Sequence, residues 1–401
     1  MNKSNKNPNG MTDSTEMFGT LMSAFCKEIP KEIYKDVRRL YVLAWAVIGV
    51  ILTQSISLSA WGEVVQSRAE KAASHQKRFA RWMKNEKVDA FKFYKPLIAN
   101  QLKNWPKNSR FRIAIDTSVL PNDLLLIRIG LIYRGRAIPL TWKVILHKSA
   151  TISYETYEPL LEDVIELMPE SAIIEFSADS GFFHTELIRF CKKHKWHFRL
   201  RAPGDTLVRR KGGVICSMSD LCPPKGHAHF HHYVRVTGSL VNYVHLALAN
   251  PEHTNKEDPW YIVSDELTDV HTFDDYGFRF DLEESFLDDK SNGFQVEDSQ
   301  LQTPEQMQRL FLVLAVATLH LTSIGTAVVD DDKRSWVDTH WDRGMSYLKI
   351  GWQWVRQQFR KSFPRFAPFF LSSEPDPQPA ISSRRQSRRF GIGFSIAFNP
   401  P

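Results

Sequence analysis

The chain predicts an α/β fold, a mixed sheet with flanking helices over residues 106–370, carrying a β-rich insertion at about 204–268 and preceded by a helical domain at 21–105. Three observations predict it. From Phe25 to Lys103 apolar residues recur at helical spacing and no strand pattern is convincing. At Arg110 the period changes to two, and strands then alternate with helices. After Pro203 helical periodicity disappears until the charged segment that starts near Tyr276.

The elements follow in order. Residues 1–20 are polar and expected to be flexible. In the helical domain, HQKRFARWMKN places Lys77, Arg81 and Lys84 on one face at i, i+4 and i+7, with Phe79, Trp82 and Met83 on another. Such a helix packs by one side and offers cations to phosphates, or simply to water, on the other. FRIAIDTSVL reads as a strand, and LLLIRIGLIYRGRAIPLTWKVI as two strands joined at Arg134-Gly135, where Gly supplies a positive φ. Helix YETYEPLLEDVIELMP, strand SAIIEFSAD, helix TELIRFCKKH and strand WHFRLRAP follow. HFHHYVRVTG, LVNYVHLALAN and PWYIVSDE are the strands of the insertion. Residues 371–401, rich in Pro, Ser and Arg, read as a disordered tail whose Arg384, Arg385, Arg388 and Arg389 would attract phosphates nonspecifically.

Composition narrows the function classes. A hydrophobic content of 43% supports a real core and excludes a disordered chain, while the net charge of +7 favours an anionic partner, with nucleic acid ahead of membrane. Two apolar runs need a membrane check. Leu40–Leu52 is too short to span, and Leu310–Val329 contains His320 with several Thr and Ser, so both are expected to be buried helices. Cys26, Cys191, Cys216 and Cys222 are unevenly spaced, as reduced thiols in a cytoplasmic protein would be. The N-terminus shows no secretory signal pattern. Cys216, Cys222, His229 and His231 do not have a usual zinc spacing.

Chemistry points to acids. Asp116 follows the apolar run of its strand and Asp179 ends the apolar strand AIIEFSAD, where a lone carboxylate is costly unless paired or metal-bound; a turn residue for Asp116 and a helix cap for Asp179 are the bland alternatives. The segment YGFRFDLEESFLDDKSNGF reads as one helix stopped at Asn292-Gly293. At about 100° per residue, Tyr276, Arg279, Glu283 and Lys290 fall within an arc of roughly 60°, whereas Glu284, Asp288 and Asp289 point elsewhere as bystander charges. An aromatic, two cations and an acid on one face suit an anion held beside a metal-binding carboxylate. An ordinary i, i+4 pair between Arg279 and Glu283 is the plainer reading.

The arrangement Tyr276-x2-Arg279-x3-Glu283-x6-Lys290 resembles the Y-R-E-K signature of insertion-sequence transposases of the IS4 type (Tn5/Tn10-like). DTS at Asp116 and SADSGF at Asp179 resemble that family's two catalytic aspartates, and the resemblance covers about residues 70–360. It implies an RNase H-like catalytic core in which Asp116, Asp179 and Glu283 form a DDE triad holding two Mg2+ ions, with Mn2+ as a substitute. The implied activity is DNA cleavage at the element's ends and joining to target DNA. Terminal inverted repeats and target DNA are the implied partners, with a homodimer in the synaptic complex, no membrane, and a bacterial cytoplasmic or nucleoid location. Tyr276, Arg279 and Lys290 would contact phosphates, Lys77, Arg81 and Lys84 would add DNA contacts, and Trp260 and Phe280 are base-stacking candidates. A catalytically silent DNA-binding derivative and an RNase H-like nuclease without strand transfer remain the alternatives.

Overall fold

The computed structural model describes residues 14–66, 71–210, 212–236, 243–251, 259–290, 293–360, 366, 369–380 and 395–398. Six helices come first: α1 (Thr15–Glu28), α2 (Lys31–Tyr34), α3 (Val37–Thr53), α4 (Leu58–Val64), α5 (Ala72–Met83) and α6 (Ala90–Leu102). Strands β1 (Arg110–Leu120), β2 (Leu124–Tyr133) and β3 (Arg136–Leu146) follow, then α7 (Tyr154–Leu167), β4 (Ile173–Ala178), α8 (Thr185–Lys193) and β5 (His197–Arg201). The insertion supplies β6 (Leu207–Arg209), β7 (Ile215–Ser217), β8 (His227–Val236), β9 (Val244–Asn250) and β10 (Trp260–Ser264). The chain continues with α9 (His271–Gly277), α10 (Phe280–Asp289), α11 (Pro304–Asp330), α12 (Tyr347–Gln358) and β11 (Ser395–Phe398).

All strands join one mixed sheet, in the order β3-β2-β1-β4-β5-β10-β9-β8-β6-β7, with β11 beside β8. β1, β2 and β3 are antiparallel neighbours, while β4 runs parallel to β1 and β5 parallel to β4. The β2–β3 turn has φ of 49° at Arg134 and 86° at Gly135, the two positive values that a tight two-residue hairpin requires. The insertion extends this sheet instead of forming a separate layer, because β10 pairs antiparallel with β5 and carries β9 and β8 outward.

Helix α11 is the axis of the core. It is long and apolar enough to cross a membrane, yet 89% of its most apolar window lies buried inside the protein. α12 crosses it closely: a Cβ at Gly325 would collide with the Tyr347 carbonyl, and one at Gly351 with that of Leu321. The N-terminal helices share this core. Trp352 donates to the Ile51 carbonyl (2.6 Å), and the buried Arg309 guanidinium donates to the carbonyls of Met83 (2.9 Å) and Val88 (3.1 Å), tying α3 and the end of α5 to the C-terminal helices. One large buried cluster therefore runs from Met17 to Leu371, and a smaller one lies around Trp260, Phe273 and Tyr276.

The termini need two corrections. Within the segment expected to be flexible, Thr15 to Thr20 are helical and Met17 is buried, so the first helix reaches the core; residues 1–13 lie outside the described residues. Within the tail expected to be disordered, Leu371 and Ser372 are buried. Asp376 accepts from Tyr347 (2.6 Å) and pairs with the buried Arg343 (3.0 Å), whose charge needs a partner, and Ser395–Phe398 runs parallel to β8. The four tail arginines lie outside the described residues.

Candidate active site

Parallel pairing of β1 and β4 places Ile115 opposite Ala178, so the residues that follow, Asp116 and Asp179, emerge side by side on the other face of the sheet. Pairing of β4 with β5 sets Ala178 opposite Leu200, which brings Arg201 next in line. Asp179 and Arg201 lie at the carboxyl ends of β4 and β5, and Asp116 lies within β1 just past the end of its parallel pairing with β4.

The third acid arrives on α10. Leu282 is fully buried and settles close over Gly130 of β2, where a Cβ would come within 3.1 Å of it. Four ion-paired side chains hold the far end of the helix. Asp289 pairs with Arg128 of β2 (2.6 Å) and Asp288 with Arg136 of β3 (2.9 Å), and the two aspartates and Arg128 are almost wholly buried. Asp288 and Asp289 are thus not bystanders, contrary to the helical-wheel expectation. An apolar strand such as LLLIRIGLIY cannot bury Arg128 without an acid, and α10 supplies it.

Expected as one helix, residues 276–290 fall into the end of α9 and the whole of α10, with Phe278 and Arg279 between them. Gly277, a poor helix former, ends α9, and the joint is closed by i to i+3 bonds from Arg279 N to Tyr276 O (3.0 Å), Asp281 N to Phe278 O (3.1 Å) and Leu282 N to Arg279 O (2.9 Å). Lys290 lies past the end of α10, with φ −85° and ψ −127°, and its ammonium faces Glu297 (3.5 Å). Asn292 lies outside the described residues.

Tyr276, Arg279 and Glu283 do converge, and Asp116 joins them. Arg279 is only 3% exposed; its Nη1 donates to Asp116 Oδ2 (2.9 Å), its Nη2 to Glu283 Oε1 (2.6 Å) and its Nε to the Tyr276 hydroxyl (3.1 Å). Burial pushes the Asp116 carboxyl up to about 6, against the pull of Arg279 and the Thr117 amide, with the charges of Glu283 and Asp179 adding to the rise. Burial opposes the Arg279 charge, but Tyr276, Asp116, Glu283 and Asp179 together outweigh it and hold the guanidinium above its ordinary value. Desolvation likewise raises the Tyr276 phenol.

Asp179 makes no capping hydrogen bond to the short 3-10 turn that follows it, which removes the capping explanation. Its Oδ1 is buried without a hydrogen-bond partner, and its nearest cation is Arg201, 3.8 Å away. Sequence reasoning missed Arg201; its signal was a cation alternating with apolar residues at a strand end. Trp260 is buried among Phe273, Tyr276 and Phe280, at centroid distances of 6.4, 5.4 and 5.8 Å, so its ring is already packed, while Phe280 is half-buried under the Arg279 guanidinium (4.9 Å). Lys77, Arg81 and Lys84 are all exposed on α5, opposite the buried Phe79, Trp82 and Met83.

An all-oxygen donor set suits Mg2+ by chemistry, and an unpartnered Asp179 Oδ1 is what a ligand-accepting carboxylate looks like. The arrangement does not yet gather it. Among the described residues no group of three or more His, Cys, Asp or Glu could hold a metal ion, since Arg279 stands between Asp116 and Glu283.

No model of a known protein family matches the chain, and no curated protein matches it either. Among solved structures, it is similar to a piggyBac transposase in a synaptic complex with hairpin DNA, at 12% identity and a TM-score of 0.45 over 87% of this chain and 80% of that one. A second, more distant likeness is to Marinitoga piezophila Argonaute with guide RNA and target DNA, at 12% identity and a TM-score of 0.23 over 64% of this chain and 38% of that one.

Proposed function

We propose that the chain is a DDE transposase of the IS4 type, cleaving DNA at the ends of an insertion sequence and joining them to target DNA. One observation carries this reading: Asp116 and Glu283, far apart in sequence, share the buried Arg279, and the β1–β4 register sets Asp179 beside Asp116. Neither a lone turn residue nor a surface i, i+4 pair accounts for that convergence. The first five strands, three antiparallel and then two parallel with helices between them, support an RNase H-like core.

Asp116, Asp179 and Glu283 would hold two Mg2+ ions, with Mn2+ able to replace them. Bound there, such ions supply Lewis-acid activation of the attacking oxygen and charge stabilisation of the leaving one. The chain's own residues do the rest. The Arg279 fork matches a phosphate as well as it matches carboxylates, and Tyr276 steadies that fork through its hydroxyl. Arg201, beside Asp179, offers a second cation to the same substrate. Exposed Lys77, Arg81 and Lys84 would hold the duplex away from the reacting bond. Lys290, turned toward Glu297, would reach DNA only by leaving that partner. Working on two element ends, the protein would act as a DNA-bound homodimer in the bacterial cytoplasm or nucleoid.

Purified protein incubated with Mg2+ and DNA bearing the element's terminal repeats should nick at the ends and give joined products. Asp116→Ala, Asp179→Ala and Glu283→Ala should each abolish nicking while leaving end binding within about threefold, since a carboxylate is not a phosphate contact. Near-normal cleavage by any one of them refutes the triad. Nicking without joining would favour a nuclease, and end binding without nicking a silent derivative.

A further inference from the structure

The three carboxylates of the proposed site are accompanied by a cation that the protein itself provides. Arg279 bonds Asp116 Oδ2 through one Nη and Glu283 Oε1 through the other, at 2.9 and 2.6 Å, with its guanidinium 3% exposed. A guanidinium cannot give up its proton at any working pH, so this is a fixed positive charge. It uses up, on two separate elements, one oxygen of each of two acids. A divalent ion that bridged those oxygens would have to displace the fork or sit against it. Asp179 is the exception: its Oδ1 accepts no hydrogen bond and faces Arg201 at 3.8 Å.

We propose that Arg279 is a latch: in DNA-free protein it occupies the metal-binding oxygens of Asp116 and Glu283, and a DNA phosphate draws it off, so that divalent metal and DNA bind cooperatively. The inference rests on the function proposed above and deepens it, by assigning the order in which that site is filled. The geometry suits an exchange. Glu283 is half exposed and can turn away, while Nε remains tethered to the Tyr276 hydroxyl at 3.1 Å and the guanidinium stays over the Phe280 ring. A bidentate guanidinium–phosphate pair replaces two charge-assisted bonds with bonds of the same kind. The electrostatics favour it as well. Without Arg279, three carboxylates would face one another uncompensated; once a phosphate arrives and takes the arginine, the same acids need a new cation. By linkage, what DNA does to metal affinity, metal must do to DNA affinity. A latched site would hold little metal, and so hydrolyse little, until a DNA end is in place.

The test is metal binding, read without any reaction. Mn2+ is titrated into DNA-free protein and the free ion followed by its electron paramagnetic resonance signal. Arg279→Gln should bind Mn2+ at least about tenfold more tightly than wild type, within the range usual for coupled sites. Arg279→Lys, which keeps the charge, should stay close to wild type. Equal affinity in Arg279→Gln and wild type overturns the latch, whether or not the enzyme cuts DNA. A second measurement needs no arginine variant: wild-type Mn2+ affinity should tighten about tenfold when a short duplex is added, with the same duplex on Asp179→Asn correcting for metal carried by DNA. Failure to tighten also overturns the latch. If instead, with the duplex present, Asp179→Asn and Glu283→Gln bind Mn2+ as tightly as wild type does, the metal site itself fails, and the proposed function with it.

Discussion

Asp289→Ala probes what holds Glu283 in place. Arg128 and Asp289 form a 2.6 Å pair with side chains 3% and 7% exposed, at the far end of the helix that carries Glu283. Removing the carboxylate leaves a buried guanidinium without its acid partner. Breaking a buried pair in this way costs about 3–5 kcal/mol. Part of the charge stays compensated, because Arg128 also lies over the rings of Phe286 (5.1 Å) and Phe311 (5.3 Å), each such contact being worth roughly 0.5–2 kcal/mol. A loss of about 3 kcal/mol, at the lower end, is the expected result by urea denaturation. The double variant Arg128→Met with Asp289→Leu removes both charges and should recover most of that loss, since a well-packed apolar pair often equals a buried ion pair. In the same proteins nicking should fall with Asp289→Ala, because the end of α10 is no longer anchored to β2. Should Asp289→Ala lie within about 0.5 kcal/mol of wild type, the pair is solvated and the anchoring argument fails.

Two further outcomes follow from the site and from α5. The Asp116 carboxyl is raised from 3.8 to about 6, so the folded state holds this proton more tightly than the unfolded chain. Its contribution to stability is therefore complete below about pH 4 and is lost as pH rises through 6, an order-of-magnitude loss of 2–3 kcal/mol in metal-free buffer. Asp116→Asn should flatten that part of the urea-denaturation profile between pH 4 and 6.5, and an unchanged slope would show that another group titrates there. Replacing Lys77, Arg81 or Lys84 by Ala should weaken DNA binding about equally for all sequences and lower the salt slope by about 0.9 for each phosphate contact removed. A slope equal to wild type assigns those side chains to water.

Most elements were legible because each carried a local signal: the strand alternation of β1, the apolar runs of β2 and β4, the paired positive φ at Arg134-Gly135, the amphipathic α5. What failed was long-range. Asp288 and Asp289 look like solvated charges on a helical wheel, because a wheel contains no partner; the partners are 152 and 161 residues earlier, on strands whose lone arginines were the unread half of the signal. The tail failed for the same reason, since the acid that neutralises Arg343 is Asp376, inside a stretch whose composition reads as disorder.

The wheel also assumed one uninterrupted helix, whereas α9 ends at Gly277 and α10 begins at Phe280. On a straight helix Tyr276, Arg279, Glu283 and Lys290 would form a row facing outward in the same direction. With i to i+3 turns at the joint, Arg279 instead becomes the residue at which α9 ends and α10 begins, so its side chain can reach Tyr276 behind, Glu283 ahead and Asp116 across the sheet at once. Lys290, beyond the last turn, is left out of that reach. The place of Arg279 between an acid one turn ahead and an acid on β1 is what lets it neutralise both carboxylates and, in the latch proposed above, leave them for a phosphate.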